Sequence, residues 1–339
     1  MTTAVHAGPC TTARGASWWW FKLAAAAATL AVLGWHFGTG PFLEGLHMVD
    51  YEALAAASGL AVLTTVCCAW RWRTVARGLG VDLPLGTAVA AYYRSLFLNV
   101  TLPGGVVGDV HRGISHGHEL TDIGRGLRAV AWERSAGQIV QVVLTVAVLL
   151  ALPSPLGAVA PVIALALIAA TAGLVLAARV LPAIGRPRLV RLRSAAARDL
   201  RDGLLGRAWP AIAIASALVV AGHAVTFLIA ARTAGVIAPL SQMLPLALLV
   251  MQAAALPNVG GWGPREGVTA WAFATAGLGP SLGIATAVVY GVMVFVASLP
   301  GAVVLVAAWV RRSGLGAVAA QPFQGRLGVR VHRHGAANG

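Results

Sequence analysis

Long apolar runs alternate with short basic connections along most of this chain, and two of the runs are interrupted in a similar way. The stretches Trp18 to Phe37, Tyr51 to Trp70, Ala129 to Leu152, Leu156 to Ala178, Trp209 to Ala231 and Leu282 to Val310 are each apolar enough to read as a bilayer-spanning helix, which needs about 20 residues. Two further apolar stretches do not fit that pattern. Residues 84–108 run into Pro103, Gly104, Gly105 and Gly108, with Asp109 and Arg112 immediately after. Residues 240–278 are broken at Pro257, Asn258, Gly260, Gly261 and Gly263, with Arg265 and Glu266 close behind. Proline removes a backbone donor and clustered glycines weaken a helix, so each break frees backbone polar groups beside charged side chains. In hydrocarbon such a break is tolerated only where protein or a watery cavity surrounds it.

The charges between the runs set an orientation. The loop 38–50 has no Lys or Arg, whereas Arg71, Arg73 and Arg77 follow the second span. Arg112, Arg125 and Arg128 lie in what reads as a loop at 109–128, and eight arginines lie between 179 and 207. Lys/Arg excess marks the cytoplasmic side. If 84–102 crossed completely, both basic loops would fall outside, so 84–108 is expected to enter and leave from the cytoplasm. Residues 240–278 then form a second hairpin entering from the outer face. A plain eight-span bundle also keeps the C-terminus inside, but puts the eight-arginine loop on the wrong side. The expected fold is therefore an all-α polytopic membrane protein, an inverted repeat of two halves with about three spans and a re-entrant or broken helical hairpin each. Its divisions are a disordered N-terminal segment 1–17, a transmembrane unit 18–312 with halves 18–152 and 156–310, and a basic disordered tail 313–339. Both termini are expected to be cytoplasmic, in an inner or plasma membrane.

Composition narrows the function. With 339 residues, 58% hydrophobic and only 11% charged, and a mean hydropathy of +0.79, the chain is no soluble globule. The net charge of +14 comes mostly from arginines between and after the apolar runs, where they orient the protein and meet anionic headgroups, so nucleic acid is not an expected partner. Cys10, Cys67 and Cys68 form no framework. The N-terminal run has no small-residue cleavage site and reads as an uncleaved span. There is no serine-nucleophile motif, phosphate-binding loop or zinc-protease motif. A transporter-like role is expected ahead of an enzymatic one, with no cofactor. Nothing in the pattern fixes an oligomeric state.

Ionisable groups at membrane depth are costly and by default mark function. Asp109 and Arg112 share a face on a helix beginning after Gly108. They are either a site for an anionic headgroup, with Arg112 on the phosphate and the N–H groups of Gly104, Gly105 and Gly108 as further donors, or a self-satisfied ion pair capping a helix. Arg265 and Glu266 invite the same two readings, and Glu266 is also a candidate for ion or proton exchange. Trp262 either stacks on a sugar or lines a wall. Glu133 is expected to face inward toward Arg112 or Arg94, and Arg134 to snorkel. Arg94 is a lipid-phosphate ligand or another snorkeler, and Asn99 is expected to bond carbonyls that Pro103 leaves unpaired. His111, His116 and His118 read as soluble loop histidines rather than a metal site.

On these residues the chain resembles the family of the lysylphosphatidylglycerol synthase transmembrane region, flippase-like integral membrane proteins, over roughly residues 20–312. The likeness rests on Asn99 with Pro103-Gly104-Gly105, Gly108-Asp109 and Arg112; on the Glu133-Arg134 pair; and on Pro257 with Gly260-Gly261, Gly263 and Glu266. One departure is Val107 before Gly108-Asp109, where the family usually has glycine. The soluble aminoacyl-transferase domain is not found, since only about 27 residues follow Arg312, so lysyl transfer is not expected of this polypeptide alone. The resemblance implies handling of a membrane phospholipid or lipid-linked sugar, as a translocator. The alternative is a non-transporting scaffold that presents a lipid to a cell-envelope synthesis enzyme.

Overall fold

The computed structural model describes Trp35 and residues 40–152, 155–180, 198–199, 206–256, 258 and 261–319. The expected first span, most of the arginine-rich stretch, Pro257, Gly260 and the end of the tail lie outside the described residues.

The described chain is helical. A short helix α1, Gly40–His47, occupies what the sequence suggests is an outer loop. Helix α2, Tyr51–Gly78, starts where the carboxylate of Asp50 accepts from the backbone N–H of Ala53 at 2.6 Å, satisfying a donor that the first turn leaves unpaired. Two short helices follow, α3 at Leu85–Thr101 and α4 at Val107–Glu119, and then the long α5, Ile123–Ala151. The same succession recurs: α6 at Val159–Val180, α7 at Trp209–Thr233, the short α8 at Leu240–Ala254 and α9 at Pro264–Thr275, and the long α10 at Pro280–Ala319.

Four of these helices, α2, α5, α7 and α10 as far as Arg311, are long and apolar enough to cross a membrane. The 17 residues of α3 and 13 of α4 extend only about 25 and 20 Å at 1.5 Å per residue, short of a hydrocarbon core of about 30 Å. Both breaks anticipated from Pro and Gly are therefore real interruptions. At the first, the left-handed backbone of Gly104 (φ 103°) and Gly105 (φ 68°) makes the turn, a conformation that a side chain would strain.

The reading of 109–128 as a basic loop is corrected. Residues 107–119 are helix and only Leu120, Thr121 and Asp122 connect it to α5, whose start Asp122 caps by accepting from Arg125 N–H at 2.9 Å. The helix forms because its polar and apolar residues segregate on opposite faces, and Gly113 and Gly117 let it lie close against Gly126 of α5. With it, Arg112 and His116 move from a presumed loop into the interior.

Packing follows membrane rules rather than those of a soluble core. Large apolar side chains such as Val62, Val143, Leu165, Ile214 and Val303 are half or more exposed and face outward from the bundle. Lipid is as apolar as leucine, so helix association depends on close contact and interhelical hydrogen bonds. The two largest inner clusters hold Phe227 edge-on to Phe273 and Tyr290 in one, and Trp72, Tyr92 and Ala129 in the other. The helices α3 and α10 meet so closely that a Cβ added at Gly301 would lie 2.1 Å from the carbonyl oxygen of Tyr93.

Gly301→Ala is expected to force these helices apart at a cost of about 1–3 kcal/mol. Gly59→Ala, which meets nothing within 4 Å, is expected to leave stability unchanged or slightly raised. Thermal unfolding of both variants in detergent micelles checks the contrast.

Candidate functional site

The first break places Asp109 in the first turn of α4, beside the end of α3. Asn99 organises the junction: its Oδ1 accepts from Gly108 N–H at 2.8 Å and its Nδ2 donates to Asp109 Oδ2 at 3.0 Å. This corrects the expectation that Asn99 serves the carbonyls freed by Pro103. Ser95 Oγ donates to Asp109 Oδ1 at 3.1 Å, and a Cβ at Gly108 would lie 2.0 Å from the Ser95 carbonyl oxygen, so glycine is what lets α4 start there.

Around this junction three helices converge their charges. Arg112 Nη2 donates to Asp109 Oδ1 and to Glu133 Oε2, both at 3.0 Å. The Arg112 side chain is fully buried, its guanidinium 4.5 Å from the Trp72 ring centroid and 4.2 Å from that of Tyr92. Aromatic faces supply attraction where Nε and Nη1 have no hydrogen-bond partner among the described residues. Glu133, on α5, also accepts from Arg71 Nε at 3.0 Å and Nη2 at 2.5 Å, and from the Tyr92 hydroxyl at 3.4 Å. Arg71 Nη1 reaches across to Ser216 Oγ of α7 at 2.9 Å. Arg134 bonds to Asp109 Oδ2 with its side chain 47% exposed.

Glu133 thus faces Arg112, one of its two expected partners, while Arg134 is an ion-pair partner and not simply a snorkeling residue. Sequence reasoning missed Arg71, which reads there as one of three arginines closing a span. It is 4% exposed and lies seven residues before the end of α2. The helical face it shares with Cys68 and Val75, away from Arg73, was the available signal. The histidines are also corrected: all three stand on α4, and His116 is buried edge-on to Trp72 at 5.3 Å. Arg94 is partly buried midway along α3. No group of three metal-ligating side chains occurs among the described residues.

Three guanidiniums therefore meet two carboxylates, which leaves one positive charge in excess. Each carboxylate is held by several donors, so neither Asp109 nor Glu133 is poised as a general base. The freed N–H groups expected as ligand donors are largely engaged: Gly108 bonds Asn99, and Gly104 donates to the backbone oxygen of Asn258 at 2.7 Å.

That last bond joins the tips of the two breaks. Asn258 Oδ1 in turn accepts from Gly261 N–H at 3.0 Å, and a Cβ at Gly105 would meet Asn258 Nδ2 at 2.7 Å. Beyond the second tip, Glu266 closes the start of α9 by accepting from Gly263 N–H at 2.6 Å while its other oxygen takes Arg265 Nε at 2.9 Å and Nη2 at 2.5 Å. Arg265 also lies over Trp262 and Tyr290, at 5.6 and 5.3 Å from their centroids. This second cluster is neutral and buried. A separate cavity of about 420 Å³ opens between the start of α2 and the end of α7, lined by Asp50, Glu52 and Arg232 among others, at the opposite end of α2 from Arg71.

Removing Glu133 leaves the buried Arg71 guanidinium without a counter-charge and Arg112 with Asp109 alone. Glu133→Leu is expected to cost about 3–5 kcal/mol, and adding Arg71→Met to restore a substantial part of it, because an uncompensated buried charge costs more than an apolar pair. Thermal unfolding of the single and double variants in detergent checks both signs.

Comparison with curated proteins and with solved structures returns no match. A family profile does match, over residues 19–301, a span that takes in both breaks, both charge clusters and the helices that carry them. The chain is therefore a multi-pass membrane protein that belongs to the family described as the lysylphosphatidylglycerol synthase TM region.

Proposed function

We propose that the protein is a lipid translocator that moves a lipid with an anionic or glycosylated headgroup between leaflets, using the two broken segments as the path. The observation that carries this reading is the meeting of the two breaks. Two interrupted segments, each followed by an Arg and a carboxylate, touch through Gly104 and Asn258 inside a bundle that faces lipid. Paired interruptions of this kind are characteristic of transport sites near the bilayer midplane.

The first cluster supplies the attraction. Its excess positive charge reaches the surface of the bundle at Arg134, the most exposed of its three arginines, so Arg134 takes the headgroup phosphate. Arg71, Arg112 and Glu133 hold α2, α4 and α5 in place behind it. The recurring order of long, short, short and long helices is compatible with an inverted repeat in a plasma membrane, with both termini cytoplasmic. A scaffold that presents the same lipid to an envelope-synthesis enzyme would use the Arg134 cluster without the tip contact.

The test is leaflet exchange of acyl-labelled phosphatidylglycerol in proteoliposomes. The wild type is expected to exceed empty vesicles. Arg134→Gln is expected to lower the rate about tenfold through loss of a charge-assisted contact. Gly105→Ala, which drives a methyl group into Asn258, is expected to lower it while leaving Arg134-dependent lipid binding in place. Binding without exchange by the folded wild type would favour the scaffold.

A further inference from the structure

The charge cluster does not end at Arg134. Helix α5 carries Arg134, Gln138, Gln141 and Thr145 at spacings of four, three and four, which put all of them on one face. The stripe runs about 16 Å into a helix that otherwise reads as an ordinary apolar span. From α8, Gln252 faces it: Gln138 Nε2 donates to Gln252 Oε1 at 2.7 Å, and Gln252 Nε2 donates to Thr145 Oγ at 2.9 Å. Gln252 lies two residues before the end of α8, next to the second break. The stripe therefore leads from the first break's cluster to the second break.

Interhelical hydrogen bonds of this sort can be simple glue between membrane helices. One observation goes beyond glue: the side-chain nitrogen of Gln141, within the same stripe, is buried with no hydrogen-bond partner among the described residues. A buried amide donor left unpaired by the protein costs free energy, which a water or a passing polar group relieves. At its far end the stripe stops against apolar side chains, with Val148 of α5 packed among Leu244 and Leu248 of α8.

We propose that Arg134, Gln138, Gln141, Thr145 and Gln252 form a polar track along which a phosphate-bearing headgroup with hydroxyl groups passes between the two breaks. This rests on the translocator reading and adds the class of headgroup. Beyond Arg134 the track has no charge, and its amides both donate and accept, as the hydroxyls of a glycerol or sugar headgroup require; buried Thr145, which donates to the Gln141 carbonyl oxygen at 2.7 Å and accepts from Gln252, closes its far end. A trimethylammonium group has no donor to offer them, and meets a like charge at Arg134.

Two readouts test the track in full-length protein reconstituted in vesicles. In a background with Cys10→Ser, Cys67→Ala and Cys68→Ala, the substitutions Gln138→Cys and Gln141→Cys are compared with Ile139→Cys and Val143→Cys, whose side chains face outward. A charged, membrane-impermeant maleimide is expected to label the track positions at least about tenfold faster, because only a hydrated thiol ionises. Equal labelling would overturn the track, leaving these residues as dry contacts. Separately, wild type is expected to exchange acyl-labelled phosphatidylglycerol several times faster than acyl-labelled phosphatidylcholine. Gln252→Leu is expected to lower the first rate about five- to tenfold and leave the second unchanged. An equal fall in both would overturn headgroup selection by the track. If folded wild type moves neither lipid, translocation itself fails and passage along the track fails with it. Thiol labelling distinguishes that result from a dry stripe.

Discussion

Glu133 has no exposed surface and lies on a helix long and apolar enough to cross a membrane, where an isolated carboxylate is not sustainable. It exists there because Arg71 and Arg112 reach it from two other helices. Much of the first half follows from this requirement. Arg71 can reach only if α2 turns that face toward α5, and Gly137 leaves the room, since a Cβ there would lie 2.9 Å from the guanidinium. Arg112 can reach only if α4 folds back against α5 at Leu120 to Asp122, and it meets the Tyr92 ring only because the break at Leu102 to Val106 returns α4 beside α3. The irregular backbone is thus tied to the ion pairs as firmly as the ion pairs are tied to it.

The two clusters solve the same problem differently. The second is local: Glu266 neutralises its neighbour Arg265 and caps the start of its own helix. The first draws on α2, α3, α4, α5 and α7, and keeps one charge more than it needs. A neutral cluster fixes a helix end, whereas a cluster with surplus charge at its rim also attracts anions. This asymmetry separates the two breaks chemically although they look alike as sequences.

What was legible in the sequence was local. Pro103 with Gly104 and Gly105, and the glycines around Trp262, announce breaks because a proline and adjacent glycines constrain the backbone wherever they are placed. Asp109 and Arg112 pair because three residues is one turn. Long-range facts were not legible. Burial of Arg71 depends on the rotation of α2 about its axis, which neighbours set. Helix α4 reads as a loop in the sequence because its histidines and glycines give it a polar composition, and its buried face is formed by contacts with α2 and α5. The stripe from Gln138 to Thr145 does not stand out in the sequence because two amides scarcely change the hydropathy of a span. Their meaning depends on Gln252, more than a hundred residues away.

The contact between the break tips has an implication for motion. Among the described residues, Gly104 and Asn258 share one hydrogen bond between backbone groups, whose net contribution is about 1 kcal/mol. Elsewhere the halves interlock through much deeper packing, as where α3 meets α10 at Gly301. On the path proposed above, the tips are therefore joined by a bond far weaker than the packing at Gly301.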